Sequence, residues 1–143
     1  VLMTTVLAVD TEGDIVVPET LTEEAQGDLA GTIIYGSESI RRLPMTETSR
    51  NLDTKSWTTL YSDNNWFNEI ATITNKMGNP GSIYVRVVAY DKNKTAHTIV
   101  SKSPEIGVGA SYETPVIDKD YAKYTVSIMA ASEDGTYSIR YHD

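Results

Sequence analysis

Cysteine is absent from this chain, and its absence excludes several kinds of chemistry. Without a thiol the protein has no cysteine nucleophile, no cysteine-ligated zinc and no disulfide framework. A chain of 143 residues can do without such crosslinks, because it buries about two-thirds of the surface that its unfolded form exposes. Its length suits one domain, so we expect residues 1–143 to form a single unit. Cysteine usage does not decide the compartment.

Histidine is also scarce, which limits acid–base and metal chemistry. Only His97 and His142 are present, and we interpret both as ordinary surface or strand residues. No HExxH, GxSxG or glycine-rich phosphate motif occurs, and the loop "DKNKT", residues 91–95, lacks the Gly and Glu of an EF-hand. Carboxylate pairs arise by chance among twenty acidic residues, so they do not indicate a glycosidase. We predict no catalytic residue, no metal site and no cofactor.

Basic residues are missing from the first part of the chain. Residues 1–40 hold eight Asp or Glu and no Lys or Arg, and the formal net charge of the whole chain is -8. Such a surface repels a phosphate backbone, so we predict no nucleic-acid partner. We interpret the acidic excess as a solvated surface that favours solubility, with a cation-binding role as the alternative.

Long apolar runs are lacking too, so we predict no membrane span, which requires about 20 apolar residues. The N-terminal "VLMTTVLAVD" has two interpretations: a first β-strand, or the tail of a secretory signal that ends near Ala8. We favour the strand and keep the signal tail, residues 1–8, as the alternative. Helical signals are weak, because Gly27 interrupts the capping-box segment "TLTEEAQGDL", residues 20–29, after barely two turns.

Short strand signals, in contrast, are frequent and are separated by turn residues. The clearest is "GSIYVRVVAYD", residues 81–91, whose alternation puts one apolar row on one face: Ile83, Val85, Val87 and Ala89. Further strands are predicted at residues 14–17, 31–35, 38–43, 55–61, 69–74, 95–101 and 105–112. This spacing predicts an all-β fold, an antiparallel β-sandwich of Ig-like or jelly-roll-like type with about 8–10 short strands and little helix.

The C-terminal segment "YAKYTVSIMAASEDGTYSIRYH", residues 121–142, predicts a hairpin that turns at Asp134 and Gly135. Its predicted inward face comprises Tyr124, Val126, Ile128, Ala130, Tyr137, Ile139 and Tyr141. An aromatic-led strand, an acidic turn with Gly and a final "GTYSIRY" strand resemble the closing hairpin of several bacterial surface β-sandwich modules. In contrast, "PMTETSRNLDTKS", residues 44–56, lacks apolar periodicity, and we predict a mobile loop there.

Aromatic residues supply the remaining functional signal, with nine Tyr and two Trp against one Phe. Tyr84, Arg86 and Tyr90 fall on one face of the predicted strand, where they could form a flat platform for a ligand. Trp66 in "SDNNWFNE", residues 62–69, is the fourth candidate contact if its ring faces solvent beside the polar run. The alternative is that these rings pack under a loop or a sheet edge and that Arg86 only extends outward. Trp57 is predicted to anchor the core.

From these observations we predict a non-enzymatic binding or adhesion module. We expect it to be extracellular or displayed at the cell surface, through bacterial export. Its partner would be a glycan or a surface protein, contacted through Trp66, Tyr84, Arg86 and Tyr90. The first alternative is a structural or assembly domain without a small ligand, in which the rings are buried. A small secreted hydrolase is the third interpretation, and it would require two carboxylates in a deep pocket.

Overall fold

The computed structural model describes residues 31–36 and 45–142, and all regular secondary structure within them is β. Nine strands follow one another along these residues: β1 (Thr32–Ile34), β2 (Thr46–Leu52), β3 (Thr58–Asn64), β4 (Thr72–Asn75), β5 (Ile83–Tyr90), β6 (Ala96–Val100), β7 (Ser111–Glu113), β8 (Lys123–Ala130) and β9 (Gly135–His142). Sheet A contains five strands in the order β1-β7-β4-β9-β2, and sheet B contains four in the order β3-β8-β5-β6. Both sheets are antiparallel. The predicted all-β sandwich is therefore confirmed.

The strands from β2 to β9 pair as one long antiparallel ribbon that is folded back on itself. β2 pairs with β9, β3 with β8, β4 with β7 and β5 with β6. Successive pairs fall in sheet A, sheet B, sheet A and sheet B, so the ribbon winds around the core. This is the strand order of a jelly roll, which decides between the two predicted types of sandwich.

The core lies between the sheets and consists of the inward rows of their strands. The predicted apolar row of β5 is fully buried, as are three tyrosines, Tyr112, Tyr124 and Tyr137. The Tyr124 hydroxyl donates to Glu69 Oε1 at 3.1 Å, and the Tyr137 hydroxyl donates to the Glu133 carbonyl at 2.6 Å. Burial raises the pKa of all three phenols above the usual value of 10.

The predicted C-terminal hairpin is wrong, because β8 lies in sheet B and β9 lies in sheet A. The prediction of which residues point inward is correct: Tyr124, Val126, Ile128, Ala130, Tyr137 and Ile139 are buried, and Tyr141 packs half-buried against the core. These two rows face each other across the core, where each covers the other from water. A turn signal such as Asp134-Gly135 marks a change of direction but does not determine which strand lies alongside.

The predicted mobile loop over residues 44–56 is also wrong, because it contains β2. This edge strand pairs along its whole length with β9, so backbone hydrogen bonds hold it in place. Its partly buried row carries polar side chains until Leu52, and Arg50 Nη2 donates to the Leu60 carbonyl at 3.1 Å. Apolar alternation is missing because an edge strand gains much of its stability from one backbone ladder.

Other predicted elements are only partly tested by the described residues. The strand predictions at 55–61, 69–74 and 105–112 correspond to the shorter or displaced strands β3, β4 and β7. The predictions for residues 1–8, 14–17, 20–29 and 38–43 lie outside the described residues. Over residues 31–36 and 45–142, no helix is long and apolar enough to cross a membrane.

Two buried threonines with different hydrogen bonding, each on the outward side of its sheet, yield a test of how buried hydroxyls affect stability. The Thr98 hydroxyl is buried without a partner among the described residues, whereas the Thr74 hydroxyl lies 2.6 Å from Ser111 Oγ. A buried polar group costs about 1–3 kcal/mol when it is unpaired. We expect Thr98→Val to raise the free energy of unfolding by about 1 kcal/mol and Thr74→Val to lower it by about 1–2 kcal/mol. Urea denaturation measures both changes, and equal losses in the two variants would contradict the assignment.

Candidate functional site

Three of the four predicted contact residues lie on the outer face of sheet B. Tyr84, Arg86 and Tyr90 are half-buried on the outward side of β5, where β8 places Met129, Ser127 and Lys123 opposite them. The same alternation that buries the apolar row of β5 points these three side chains away from the core. Strand geometry therefore places these three residues on one face of the sheet, as predicted from the sequence.

Each aromatic ring on this face lies beside a cationic side chain. The pairs are Arg86 Cζ at 4.5 Å from the Trp57 ring centre, Lys102 Nζ at 4.4 Å from the Tyr84 ring centre, and Lys123 Nζ at 5.7 Å from the Tyr90 ring centre. These distances are within the range of cation–π attraction. We call these six residues the cation–aromatic face. The predicted role of Trp57 as a core anchor is wrong, because its ring is half-buried under Arg86 and is not part of the core.

Trp66 lies beyond the end of β3, and its neighbour Phe67 is exposed beside it. The exposed fractions are 73% for Trp66 and 70% for Phe67, so neither ring enters the core. The strand ends at Asn64, and strict alternation no longer applies to the residues that follow. Trp66 therefore faces solvent, as the binding interpretation requires.

Two further apolar side chains are exposed on the segments that follow. Glu69 and Ile117 form an antiparallel bridge with backbone N···O distances of 3.1 and 2.7 Å. In this register Ile70 lies opposite Val116, and their exposed fractions are 47% and 56%. Trp66 and Phe67 precede Ile70 by only a few positions, and we call Trp66, Phe67, Ile70 and Val116 the apolar end patch. Exposed apolar groups on neighbouring segments are typical of interaction sites.

Hydrogen bonds hold the apolar end patch to the body of the sandwich. Asn65 is buried, and its Nδ2 donates to the carbonyls of Asp118 at 2.7 Å and Tyr121 at 3.1 Å. Its backbone N–H donates to the Ala122 carbonyl at 2.9 Å. On the other side of the two rings, Asn68 Oδ1 accepts from the Lys119 N–H at 2.7 Å. The exposed rings are therefore carried by a segment that is fixed at both ends.

The tip of the β5–β6 hairpin contains the histidine with the most defined surroundings. Nε2 of His97 lies 3.0 Å from Oδ2 of Asp91, and its ring centre is 5.3 Å from that of Tyr121. Oδ1 of Asp91 accepts the backbone N–H groups of Asn93 and Thr95 at 2.8 and 3.0 Å. This pair closes the turn, and we assign it no catalytic role. No group of three or more potential metal ligands occurs within residues 31–36 and 45–142.

Two elements of the site could not be identified from the sequence. Val116 and Ile70 belong to segments 46 positions apart, and only the bridge between Glu69 and Ile117 brings them together. Lys102 and Lys123 gave no signal either, because their contacts with rings depend on which strands are neighbours. The pattern of alternating aromatic residues pointed to β5 but carried no information about these partners.

With its strand order, the chain belongs to the class of jelly-roll β-sandwiches. No protein-family model matches it, and no curated protein matches it. Among solved structures it is similar to the crystal structure of the Yersinia pseudotuberculosis-derived mitogen, with a TM-score of 0.50 and 9% identity over 70% of this chain and 87% of that chain. The IMPa metallopeptidase from Pseudomonas aeruginosa matches with a TM-score of 0.41 and 12% identity over 81% of this chain and 14% of that chain. The likeness to the mitogen concerns the fold alone.

The two asparagines that flank the exposed rings are a matched pair for testing how the apolar end patch is fixed. Asn65→Ala leaves two carbonyls without their donor in a buried position, so we expect it to lower the free energy of unfolding by about 2–3 kcal/mol. Asn68→Ala removes an exposed contact and should cost about 1 kcal/mol or less. Urea denaturation measures both. Hydrogen exchange at the Glu69 amide should accelerate more in the first variant, and an equal change in both would contradict the anchoring role.

The carboxylate of Asp91 makes the hairpin tip sensitive to acid. The hydrogen bond with His97, followed by that from the Thr95 N–H, lowers the pKa of Asp91 from its usual value of 3.8. A pKa lowered by folding adds stability above pH 3.8, and this contribution disappears as the pH falls through the lower folded value. In an NMR titration we expect Asp91 to titrate below pH 3.8 and to shift upward in His97→Gln. An unchanged midpoint in that variant would contradict the assigned cause.

Proposed function

We propose that this chain is a non-enzymatic binding module that contacts a partner protein through the apolar end patch. The observation that carries the proposal is the pair Trp66 and Phe67, with both rings largely in solvent on a segment held by hydrogen bonds. A soluble surface rarely presents two adjacent large rings in this way unless a partner covers them. The predicted setting, outside the cell or at its surface, belongs to the same proposal.

The free energy of binding depends on the apolar area that a partner would cover. An aromatic side chain buries about 150–250 Å² when it is fully covered, which corresponds to about 3 kcal/mol or more of gross hydrophobic free energy. Association and ordering offset part of this gain. Because Asn65 and Asn68 hold the segment before binding, little further ordering is needed. Fixed aromatic residues of this kind are typical hot spots of protein interfaces.

The composition of the apolar end patch favours a protein over a glycan. Ile70 and Val116 are aliphatic, and such groups pack well against the apolar centre of a protein interface. Sugar recognition needs hydrogen-bonding groups directed at hydroxyls beside the rings. A glycan is therefore the second ligand class for this site, as the sequence interpretation allowed.

The structural or assembly domain remains the alternative function. The half-buried positions of Tyr84 and Tyr90 agree with it better than the exposure of Trp66 does. In that case the contacts would come from the backbone of the edge strands β3 and β6 of sheet B. A hydrolase is less well supported, because we find no pair of described carboxylates to which we can assign acid and base roles.

Binding assays on arrays of extracellular proteins and of glycans would test the proposal. We expect the double variant Trp66→Ala/Phe67→Ala to lose affinity for its protein partner by about 30-fold or more, as for other interface hot spots. Tyr35→Ala, which removes a ring that is 76% exposed elsewhere, is the matched control and should bind normally.

The outcomes separate the three interpretations. Loss of glycan binding in the Trp66→Ala/Phe67→Ala variant would assign the apolar end patch to a sugar instead of a protein. If neither Trp66→Ala nor Tyr84→Ala changed any binding that the native chain shows, the aromatic hypothesis would be wrong. Circular dichroism and urea denaturation of each variant would establish that its fold is intact.

A further inference from the structure

We propose that the cation–aromatic face on the outside of sheet B is a second binding site, and that its ligand is an acidic oligosaccharide with carboxylate groups at intervals. This site is independent of the apolar end patch. Its six residues lie on β5 and β8 and on the segments just before β3 and just after β6. Their charge, their rings and their spacing each limit the ligand.

Positive charge is concentrated on this face. Arg86, Lys102 and Lys123 lie over its three rings, although the whole chain has a formal net charge of -8. None of the outward side chains on the described strands of sheet B is a carboxylate: Thr59, Ser62 and Asn64 on β3, Lys123, Thr125, Ser127 and Met129 on β8, Tyr84, Arg86, Val88 and Tyr90 on β5, and Ala96 and Thr98 on β6. A positive face on an acidic protein is complementary to an anionic ligand.

Aromatic rings and hydroxyl groups occur together on this face. Sugar rings present apolar C–H faces that pack on aromatic side chains, and their hydroxyls require polar neighbours. The outward rows of β3 and β8 contain serine and threonine, including Ser62 Oγ and Thr125 Oγ1 at 2.7 Å from each other. The apolar end patch, in contrast, combines its rings with Ile70 and Val116. The two surfaces therefore suit ligands of different chemistry.

The cation–aromatic face is elongated along β5. Tyr84 and Tyr90 are six positions apart on β5, which corresponds to about 20 Å along an extended strand. Lys102 lies over the first ring and Lys123 lies beside the second. The cations are therefore spaced along the face, on either side of the buried outward pair Val88 and Thr98, instead of forming one compact pocket. Such an arrangement suits a chain of several sugar units with anionic groups at intervals, and it exceeds the size of a monosaccharide.

Single-stranded nucleic acid is the competing ligand, because it also binds to rings and cations. Its backbone carries a phosphate at every nucleotide, and an approaching polyanion of this charge density is repelled by the acidic remainder of the chain. An acidic oligosaccharide with one carboxylate on each disaccharide, such as hyaluronan, has fewer charges along its length, whereas heparin is more densely charged than nucleic acid. We therefore infer the saccharide, and the experiment includes an oligonucleotide as a contrary outcome.

Isothermal titration with four probes tests the site: heparin oligosaccharide, hyaluronan oligosaccharide, uncharged dextran and a fifteen-nucleotide oligothymidylate. We expect the native chain to bind the hyaluronan oligosaccharide, with an affinity that falls as salt rises, and not to bind dextran. Heparin is densely sulfated, so tighter binding of heparin than of hyaluronan would show that charge density selects the ligand instead of the spacing of its carboxylates. No binding to hyaluronan, or tighter binding of heparin or of the oligonucleotide, would overturn the proposal.

Matched variants locate the binding. Lys102→Gln/Lys123→Gln should lower the affinity about tenfold and reduce its salt dependence, because two exposed ion pairs are lost. Lys92→Gln/Lys119→Gln makes the same change of charge in two turns and should bind like the native chain. Tyr90→Leu should weaken binding without reducing the salt dependence, since it removes a ring and no charge. Equal effects of the two lysine double variants would overturn the assignment to this face.

The test is separable from that of the protein partner. Trp66→Ala/Phe67→Ala should retain native affinity for the acidic saccharide, and Lys102→Gln/Lys123→Gln should retain affinity for the protein partner. Failure of one site therefore leaves the result for the other intact. A saccharide affinity that the Trp66→Ala/Phe67→Ala variant lost would show one shared site and would contradict two independent surfaces.

Discussion

Most strands of this fold carry an apolar row that must be covered, and the arrangement of the sandwich follows from that constraint. The inward residues of β5 and β8, among them Val87 and Val126, are neighbours within sheet B and are covered by sheet A. Burial of such rows contributes about 25 cal/mol for each Å² of apolar surface removed from water, and it is the main term that favours the folded chain. The buried tyrosines fit this arrangement because Tyr124 and Tyr137 each find an acceptor at its margin. A jelly roll satisfies every row at once by winding one antiparallel ribbon around the core.

The apolar end patch depends on the same core, although it lies outside it. Glu69 accepts the hydroxyl of the buried Tyr124 and also forms the bridge with Ile117, so the end of the sandwich is tied to its interior. Asn65 connects the chain after β3 to the turn before β8. Trp66 therefore faces solvent on a segment whose backbone is fixed by the buried Asn65 on one side and by the contacts of Asn68 and Glu69 on the other. A flexible loop of the same composition could fold its rings back onto the protein.

The cation–aromatic face and the apolar end patch differ in how far their aromatic rings are covered by other side chains. On the outer face of sheet B, Trp57 and Tyr84 lie under Arg86 and Lys102, whose charged groups are 4.5 and 4.4 Å from the ring centres and cover part of each ring. Trp66 has no such cover, with 73% of its surface exposed. Shielded rings suit a polar ligand that replaces water near the cations, and open rings suit an apolar partner. This difference arises because side chains alternate between the two faces of the sheet along β5, whereas the segment after β3 is not part of a strand.

The sequence by itself determined that this chain is a β-sandwich, which rows of β5, β8 and β9 face inward, and that thiol chemistry is excluded. These conclusions depend on local properties, because alternation with a period of two and turn residues are visible within a few positions. Only the tertiary structure decided that β8 and β9 lie in opposite sheets, that β2 is a strand, and that Trp57 lies outside the core. It also decided that Trp66 and Phe67 both face solvent. Pairing and exposure depend on residues far apart in the chain, and an inward row can be covered equally well by several partners until the whole ribbon is folded.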